Sequence, residues 1–147
     1  MEPFYDGFRI DTTKGVVDNR AMKESRRKPT DAELGILRVL WTRGPSTVRQ
    51  IAEVMDRTAG YTTILKLLQI MTEKRLVVRD ETARTHVYEA AYTEDQTQRQ
   101  LVTDLVDRLF DGSAAKLVLQ ALASTKASPE ELDEIRKLIA AKAGGPR

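Results

Sequence analysis

The stretch YTTILKLLQIMTEKRLVVRDETARTHVYE, residues 61–89, changes its hydrophobic period part-way along, and that change decides the fold. In its first half Ile64, Leu67, Leu68 and Met71 recur at helical spacing, with Thr62 or Thr63 as the expected N-cap and an end near residues 74–75. In its second half Leu76-Val77-Val78-Arg79 reads as a strand and residues 80–84 as a polar turn. Thr85-His86-Val87-Tyr88-Glu89 then reads as a returning strand, rich in β-branched and aromatic side chains. A helix therefore leads directly into a β-hairpin.

Two further helices are legible upstream. Thr30-Asp31-Ala32-Glu33 has the capping-box form, in which the Thr hydroxyl and the Glu carboxylate each satisfy an N–H left open at a helix start. Leu34, Leu37 and Leu40 or Trp41 follow at helical spacing to about residue 43, where Gly44-Pro45 stops the helix. Thr47-Val48-Arg49-Gln50 repeats the capping form. Val48, Ile51, Ala52 and Met55 then occupy i, i+3, i+4 and i+7 of a second helix, predicted to end near residues 56–57 before a break at Ala59-Gly60. Three short helices followed by a two-stranded hairpin make a winged helix-turn-helix.

Downstream of Tyr92 the period is helical again. Leu101, Leu105 and Leu109, with Val102 and Val106, mark a helix that stops at Phe110-Asp111-Gly112. Ser113 caps another, carrying Leu117, Val118 and Leu122. Ser128-Pro129-Glu130-Glu131 opens a third with an N-cap, a proline at the first helical position and acids in the first turn. Three amphipathic helices in so short a segment bury too little surface to stand alone. A second copy of the same helices would cover them, so Leu101, Leu105, Leu109, Leu117 and Leu122 are the expected dimer contacts. The fold class expected is mainly α with a small β-hairpin. Its parts are a flexible extension over 1–28, a winged helix-turn-helix domain over 29–92 and a helical dimerisation domain over 93–147.

Composition excludes several classes of function. The 147 residues are 41% apolar and 5% aromatic, with no cysteine, so disulfides, thiolate metal sites and cysteine catalysis are absent. No run of apolar residues is long enough to span or insert into a membrane, no secretory signal is recognisable, and a cytoplasmic protein is expected. The single histidine, His86, falls on a hairpin strand and reads as a surface wing residue. No metalloprotease, phosphate-loop or nucleophile-elbow motif occurs. Neither catalysis nor a metal or other cofactor is expected.

The net charge of +2 is unevenly spread. Residues 23–92 hold 13 Lys and Arg against 9 Asp and Glu, while residues 93–147 hold 8 against 9. The positive excess lies in the winged segment, where a polyanion would bind. With the apolar face of the third helix turned inward, Thr62, Lys66 and Gln69 face outward, with Glu73 at the far end. Lys and Gln bond guanine and adenine edges, and Thr bonds a base or packs on a thymine methyl. The N-terminal part of such a helix enters the major groove, which adds Tyr61 and Thr63. Arg79 and Arg84 bracket the hairpin turn and are the expected backbone contacts from the wing, with Arg49 and residues 23–28 weaker candidates.

These residues resemble a known family. Pro29-Thr30-Asp31-Ala32-Glu33-Leu34, Val39-Leu40-Trp41 and Gly44-Pro45-Ser46-Thr47-Val48 are similar to the opening of the BlaI/MecI penicillinase-repressor family. Tyr61-Thr62-Thr63-Ile64, Leu67-Leu68, Glu73-Lys74 and Leu76-Val77 resemble its recognition helix. Arg84 with Val87-Tyr88 resembles its wing, and Leu109-Phe110-Asp111-Gly112-Ser113 its hinge. The resemblance implies a repressor that binds a double-stranded, inverted-repeat operator as a homodimer and is released through a membrane-bound zinc metallopeptidase sensor. Three positions depart from the family pattern, with Lys66 where Thr is frequent, Ile70 where Arg is frequent and Arg75 where Gly is frequent. The Asn-Phe bond cut in the penicillinase repressors is replaced by Leu119-Gln120-Ala121-Leu122, and the C-terminal cysteines of a copper-sensing branch are missing. Two alternatives stand beside this reading. One is a winged-helix interaction module that does not bind DNA; the other is a ligand-sensing winged-helix regulator of another family.

Overall fold

The structure, a computed structural model, describes residues 28–55 and 60–144. The expected extension up to residue 27 and the predicted end of the second helix at 56–57 lie outside the described residues. In chain order the elements are α1 (Asp31–Arg43), β1 (Ser46–Thr47), α2 (Val48–Met55), α3 (Tyr61–Glu73), β2 (Val77–Asp80), β3 (Val87–Ala90), α4 (Glu94–Leu109), α5 (Ala114–Ser124) and α6 (Pro129–Ala143). This is the winged helix-turn-helix expected, followed by three helices. The hairpin gains a third strand, giving the antiparallel order β1-β3-β2, with Ser46 opposite Tyr88 and Arg79 opposite Tyr88 on the other side.

Both early capping boxes form. Glu33 N–H donates to Thr30 Oγ1 at 3.2 Å and Thr30 N–H to Glu33 Oε1 at 2.9 Å. Gln50 N–H donates to Thr47 Oγ1 at 3.2 Å, and Thr47 N–H to Gln50 Oε1 at 2.9 Å. Between them Gly44 adopts φ 91°, ψ −165°, a conformation essentially restricted to glycine, and turns the chain from α1 into β1.

The core of the winged unit is aliphatic with one aromatic. Ile36, Leu37, Val39 and Leu40 of α1 pack with Ile51 of α2, Ile64, Leu68 and Met71 of α3, and Val77 and Tyr88 of the sheet. Leu34, Trp41 and Leu67, expected to point inward, are only partly buried against this cluster, and Ile36 and Val39 take the inner positions. The α1 helix is wrapped on a wider arc than its leucines alone indicate, because α2, α3 and β3 all contact it.

A buried ion pair joins the two ends of the motif. The Glu33 side chain is 2% exposed, and Lys74 Nζ lies 2.8 Å from its Oε1 while also donating to the Lys28 carbonyl at 3.1 Å. The α3 helix ends immediately after Lys74 in a Schellman turn. Arg75 takes a left-handed φ of 65°, its N–H reaches Thr72 O, and Leu76 N–H reaches Met71 O. The position at which the resembling family favours glycine is thus one that demands a positive φ.

Cα packing divides the chain into two compact units that meet between Asp104 and Leu105, within α4. The sequence reading set its boundary twelve residues earlier, at the end of the wing. The first turns of α4 belong to the winged unit because Thr97, Gln100 and Asp104, at i, i+3 and i+7, are buried. Asp104 pairs with Lys28, and Trp41 Nε1 donates to Tyr92 O at 2.9 Å just ahead of the helix. In the second unit α5 and α6 have no fully buried side chain, and Leu117, Leu132 and Ile135 are half-buried. Leu109 and Leu119 are each 68% exposed, and Leu138 and Ile139 are each 57% exposed.

Glu33→Ala leaves the Lys74 ammonium in a largely enclosed site and removes half of a capping box. It should lower unfolding stability by about 3 kcal/mol. Urea denaturation checks this, and the double replacement Glu33→Leu with Lys74→Leu should recover most of the loss.

Candidate nucleic-acid interface

The α3 helix begins two or three residues earlier than its threonines suggest. Its N-cap is Gly60, which has an extended backbone and no side-chain bond to the first turn, so Thr62 and Thr63 lie within the helix and do not cap it. Ile64 N–H closes the first helical bond, to Gly60 O at 3.0 Å. The first-turn N–H groups ahead of it carry the positive end of the helix dipole, with no carboxylate among the first-turn residues. Thr62, Thr63, Lys66 and Gln69 are all exposed along the outer face, and Tyr61 is 53% exposed at its start. Ile70, where the resembling family often has Arg, is half-buried.

Beside this end of α3 lies a cleft of about 400 Å³ lined by Val48, Arg49, Tyr61, Leu65, Arg84, Thr85, His86 and Tyr88. Four elements build it: the start of α2, the start of α3, the wing loop and β3. Its floor is apolar, with Val48 and Tyr88 buried, and its rim is polar and basic. Among the described residues no carboxylate lines it. The cleft brings together Tyr61 and Arg84 with Arg49, a weaker candidate from the sequence, and adds His86.

The histidine was expected on a strand but stands in the loop, because β3 starts only at Val87. Its part in the cleft had no local signal, since it depends on the wing loop folding back beside α2. Arg49 carried a faint signal. It occupies the second position of α2, where a cation works against the helix dipole, and α2 has no acid in its first turn.

Arg79 is differently placed. Its Nε donates to Glu81 Oε2 at 2.7 Å, and Nη2 lies 2.5 Å from the same oxygen. The hydroxyl of Tyr88 and the carboxylate of Glu81 together raise the guanidinium pKa above its ordinary value. Arg79 therefore braces the hairpin and is absent from the cleft lining. Next to it Asp80 Oδ1 accepts both the backbone N–H of Thr82, at 2.9 Å, and its hydroxyl, at 2.7 Å. These bonds hold the Asp80 carboxyl below the usual carboxylate range and fix the entry to the wing loop.

Of the leucines expected at a dimer contact, Leu105, Leu109 and Leu122 are exposed, and Leu101 and Leu117 are half-buried. Among the described residues no group of His, Asp or Glu is arranged to hold a metal ion, and no helix is long and apolar enough to cross a membrane.

The model of the family described as penicillinase repressor matches residues 29–141. The chain belongs to the penicillinase repressor family. Among the relatives of this penicillinase repressor family member is a transcriptional regulator, BlaI, of Mycobacterium tuberculosis. It is 28% identical over 113 residues, covering 75% of this chain and 81% of the relative. The penicillinase repressor of Bacillus licheniformis is 21% identical over 112 residues, covering 75% of this chain and 88% of the relative. A solved structure described as a possible transcriptional regulator for arsenical resistance aligns with a TM-score of 0.42 at 22% identity. It covers 76% of this chain and 100% of that one.

The Asp80 bonds give a test of the wing geometry. Thr82→Ala removes the hydroxyl bond and keeps the backbone one, so the Asp80 titration, followed by carboxyl-carbon NMR, should move upward towards the usual range. In the wild-type protein the loop order that these bonds supply is complete above the ordinary carboxylate pKa. It is lost as pH falls through the lowered one.

Proposed function

We propose that this protein is a transcriptional repressor that acts in the cytoplasm as a homodimer on an inverted-repeat DNA operator. One observation carries the reading. The uncapped, acid-free start of α3 presents Thr62, Thr63 and Lys66 beside a basic cleft that the wing completes. Such an end enters the major groove, where Lys66 and Gln69 reach base edges and Thr62 and Thr63 reach bases or phosphates. Glu73, the first acid on this face, stands three turns further on and clear of the phosphates.

The homodimer rests on the second unit. A segment of 43 residues whose helices α5 and α6 fully bury no side chain, and which exposes Leu109, Leu119, Leu122, Leu138 and Ile139, has little core of its own. A second copy offers the same helices as a cover, with Leu105, Leu109, Leu117 and Leu122 at the contact and Leu101 at its edge. Each winged unit alone binds a half-site weakly, and linking two converts the second contact into an intramolecular one. Family membership supports release through a membrane-bound zinc metallopeptidase sensor as the route of derepression.

Fluorescence anisotropy on duplex from the protein's own upstream region, against scrambled duplex and across a salt series, tests the reading. Preference for the native duplex, with affinity falling steeply as salt rises, is expected. Equal and weak binding to both duplexes would leave an interaction module instead. Lys66→Ala should cost ~1–3 kcal/mol of operator affinity with the fold unchanged. Leu105→Asp should sediment as a monomer and lose operator binding at physiological salt.

A further inference from the structure

We propose that Arg49 of α2 and His86 of the wing loop complete a clamp for one backbone phosphate, with Tyr61 and Arg84 as the other members. The clamp rests on the reading above and specifies how the winged unit takes up DNA charge. Three independent observations support it. The first is convergence, since residues from α2, α3 and the wing loop line a single cleft although 37 positions separate Arg49 from His86.

The second is uncompensated charge. Among the described residues Arg49 and Arg84 have no ion pair, whereas Arg79, one strand away, is held by Glu81. Two guanidinium groups line one cleft in which, among the described residues, no carboxylate offsets them, so an anion is the complementary guest. The third is the dipole. Arg49 sits where a helix N-terminus disfavours a cation, and Tyr61 sits on a helix start that no side chain caps. Both costs are relieved by the same negatively charged guest. A phosphodiester fits because it is tetrahedral and carries two acceptor oxygens. A guanidinium bonds it in bidentate fashion, and an imidazole N–H and a phenol O–H each donate once.

The clamp would hold one strand between the recognition helix and the wing. It therefore sets register and affinity and does not read sequence. Base discrimination stays with Thr62, Lys66 and Gln69.

The test is anisotropy of full-length Arg49→Gln and His86→Gln on native and scrambled duplex across a salt series, with fold checked by circular dichroism. Arg49→Gln should weaken both duplexes equally, by roughly tenfold at moderate salt. It should also reduce the slope of log affinity against log salt by about 0.9. His86→Gln should weaken both equally with a smaller loss. Replacing single phosphates of the duplex by neutral methylphosphonates should then reveal one linkage whose loss hurts the wild type but not Arg49→Gln or Arg84→Gln. An unchanged slope, or different linkages for the two arginines, would overturn the clamp. Saturable capture of inorganic phosphate, seen in the arginine Nε NMR signals, together with an unchanged DNA slope would also overturn it and assign the cleft to a free anion. Loss of preference for native duplex in the wild type sinks the repressor reading, while the salt slope tests the clamp on either duplex.

Discussion

The winged unit depends on one buried ion pair. Glu33 lies near the start of the first helix and Lys74 at the end of the third, 41 positions apart, and the pair is 2.8 Å across with the carboxylate almost fully enclosed. Burying two charges costs several kcal/mol per ion, and the attraction offsets this only when the remaining bonding capacity is filled. Here it is filled. The same Glu33 oxygen accepts the Thr30 N–H, and the ammonium also donates to the Lys28 carbonyl. Apolar packing alone allows α3 to slide or rotate against α1 by fractions of a turn. A charge pair with fixed donors and acceptors permits one arrangement.

The consequence is an asymmetric recognition helix. Its C-terminal end is anchored by Lys74, by the Schellman turn through Arg75 and by the buried Leu76, and its middle by Ile64, Leu68 and Met71. Its N-terminal end, at Gly60, has neither a cap nor an acid. Stability is concentrated at one end and unsatisfied polarity at the other. An unsatisfied helix start is costly in water-poor surroundings but tolerable at a surface, and it is the end that a phosphate backbone stabilises. The same division holds in the wing. Arg79 is used up in bracing β2 on Tyr88 and Glu81, while Arg84, five residues on, is left to the cleft.

Much of this was legible in the sequence because it is local. The capping boxes at Thr30 and Thr47, the helical spacing of Ile64, Leu68 and Met71, and the change of period at Leu76 each act within about seven residues. The features that escaped reading are those a local pattern cannot carry. Gly60 takes the N-cap position of α3 without any side-chain bond, so the nearby threonines gave a misleading signal. The two-residue strand β1 is too short to show alternation, and it exists because Ser46 meets Tyr88, 42 positions later. Glu33 announced a capping role but not its burial, since its partner is remote. His86 and Arg49 reach one cleft only after the wing has folded back. The candidate DNA-contacting face of α3 was thus visible in outline, and the cleft that completes it was not.

The second unit follows a different economy, and α4 shows where one gives way to the other. Up to Asp104 its inward positions are polar and buried, Thr97, Gln100 and Asp104 in succession, and they dock by hydrogen bonding and charge. From Leu105 onward only Val106 of its apolar positions is still buried, while Leu105 and Leu109 are exposed, and apolar exposure continues into α5 and α6. The helix is stopped by two successive left-handed residues, Asp111 at φ 52° and Gly112 at φ 77°. Aspartate tolerates that conformation better than most side chains, and glycine adopts it freely. Ser113 then caps α5 through Lys116 N–H, so the break is a designed corner between regular helices. The winged unit closes its own core around Tyr88 and Ile36, whereas the second unit specifies its corners and caps this closely and still leaves Leu119 and Leu122 between them exposed.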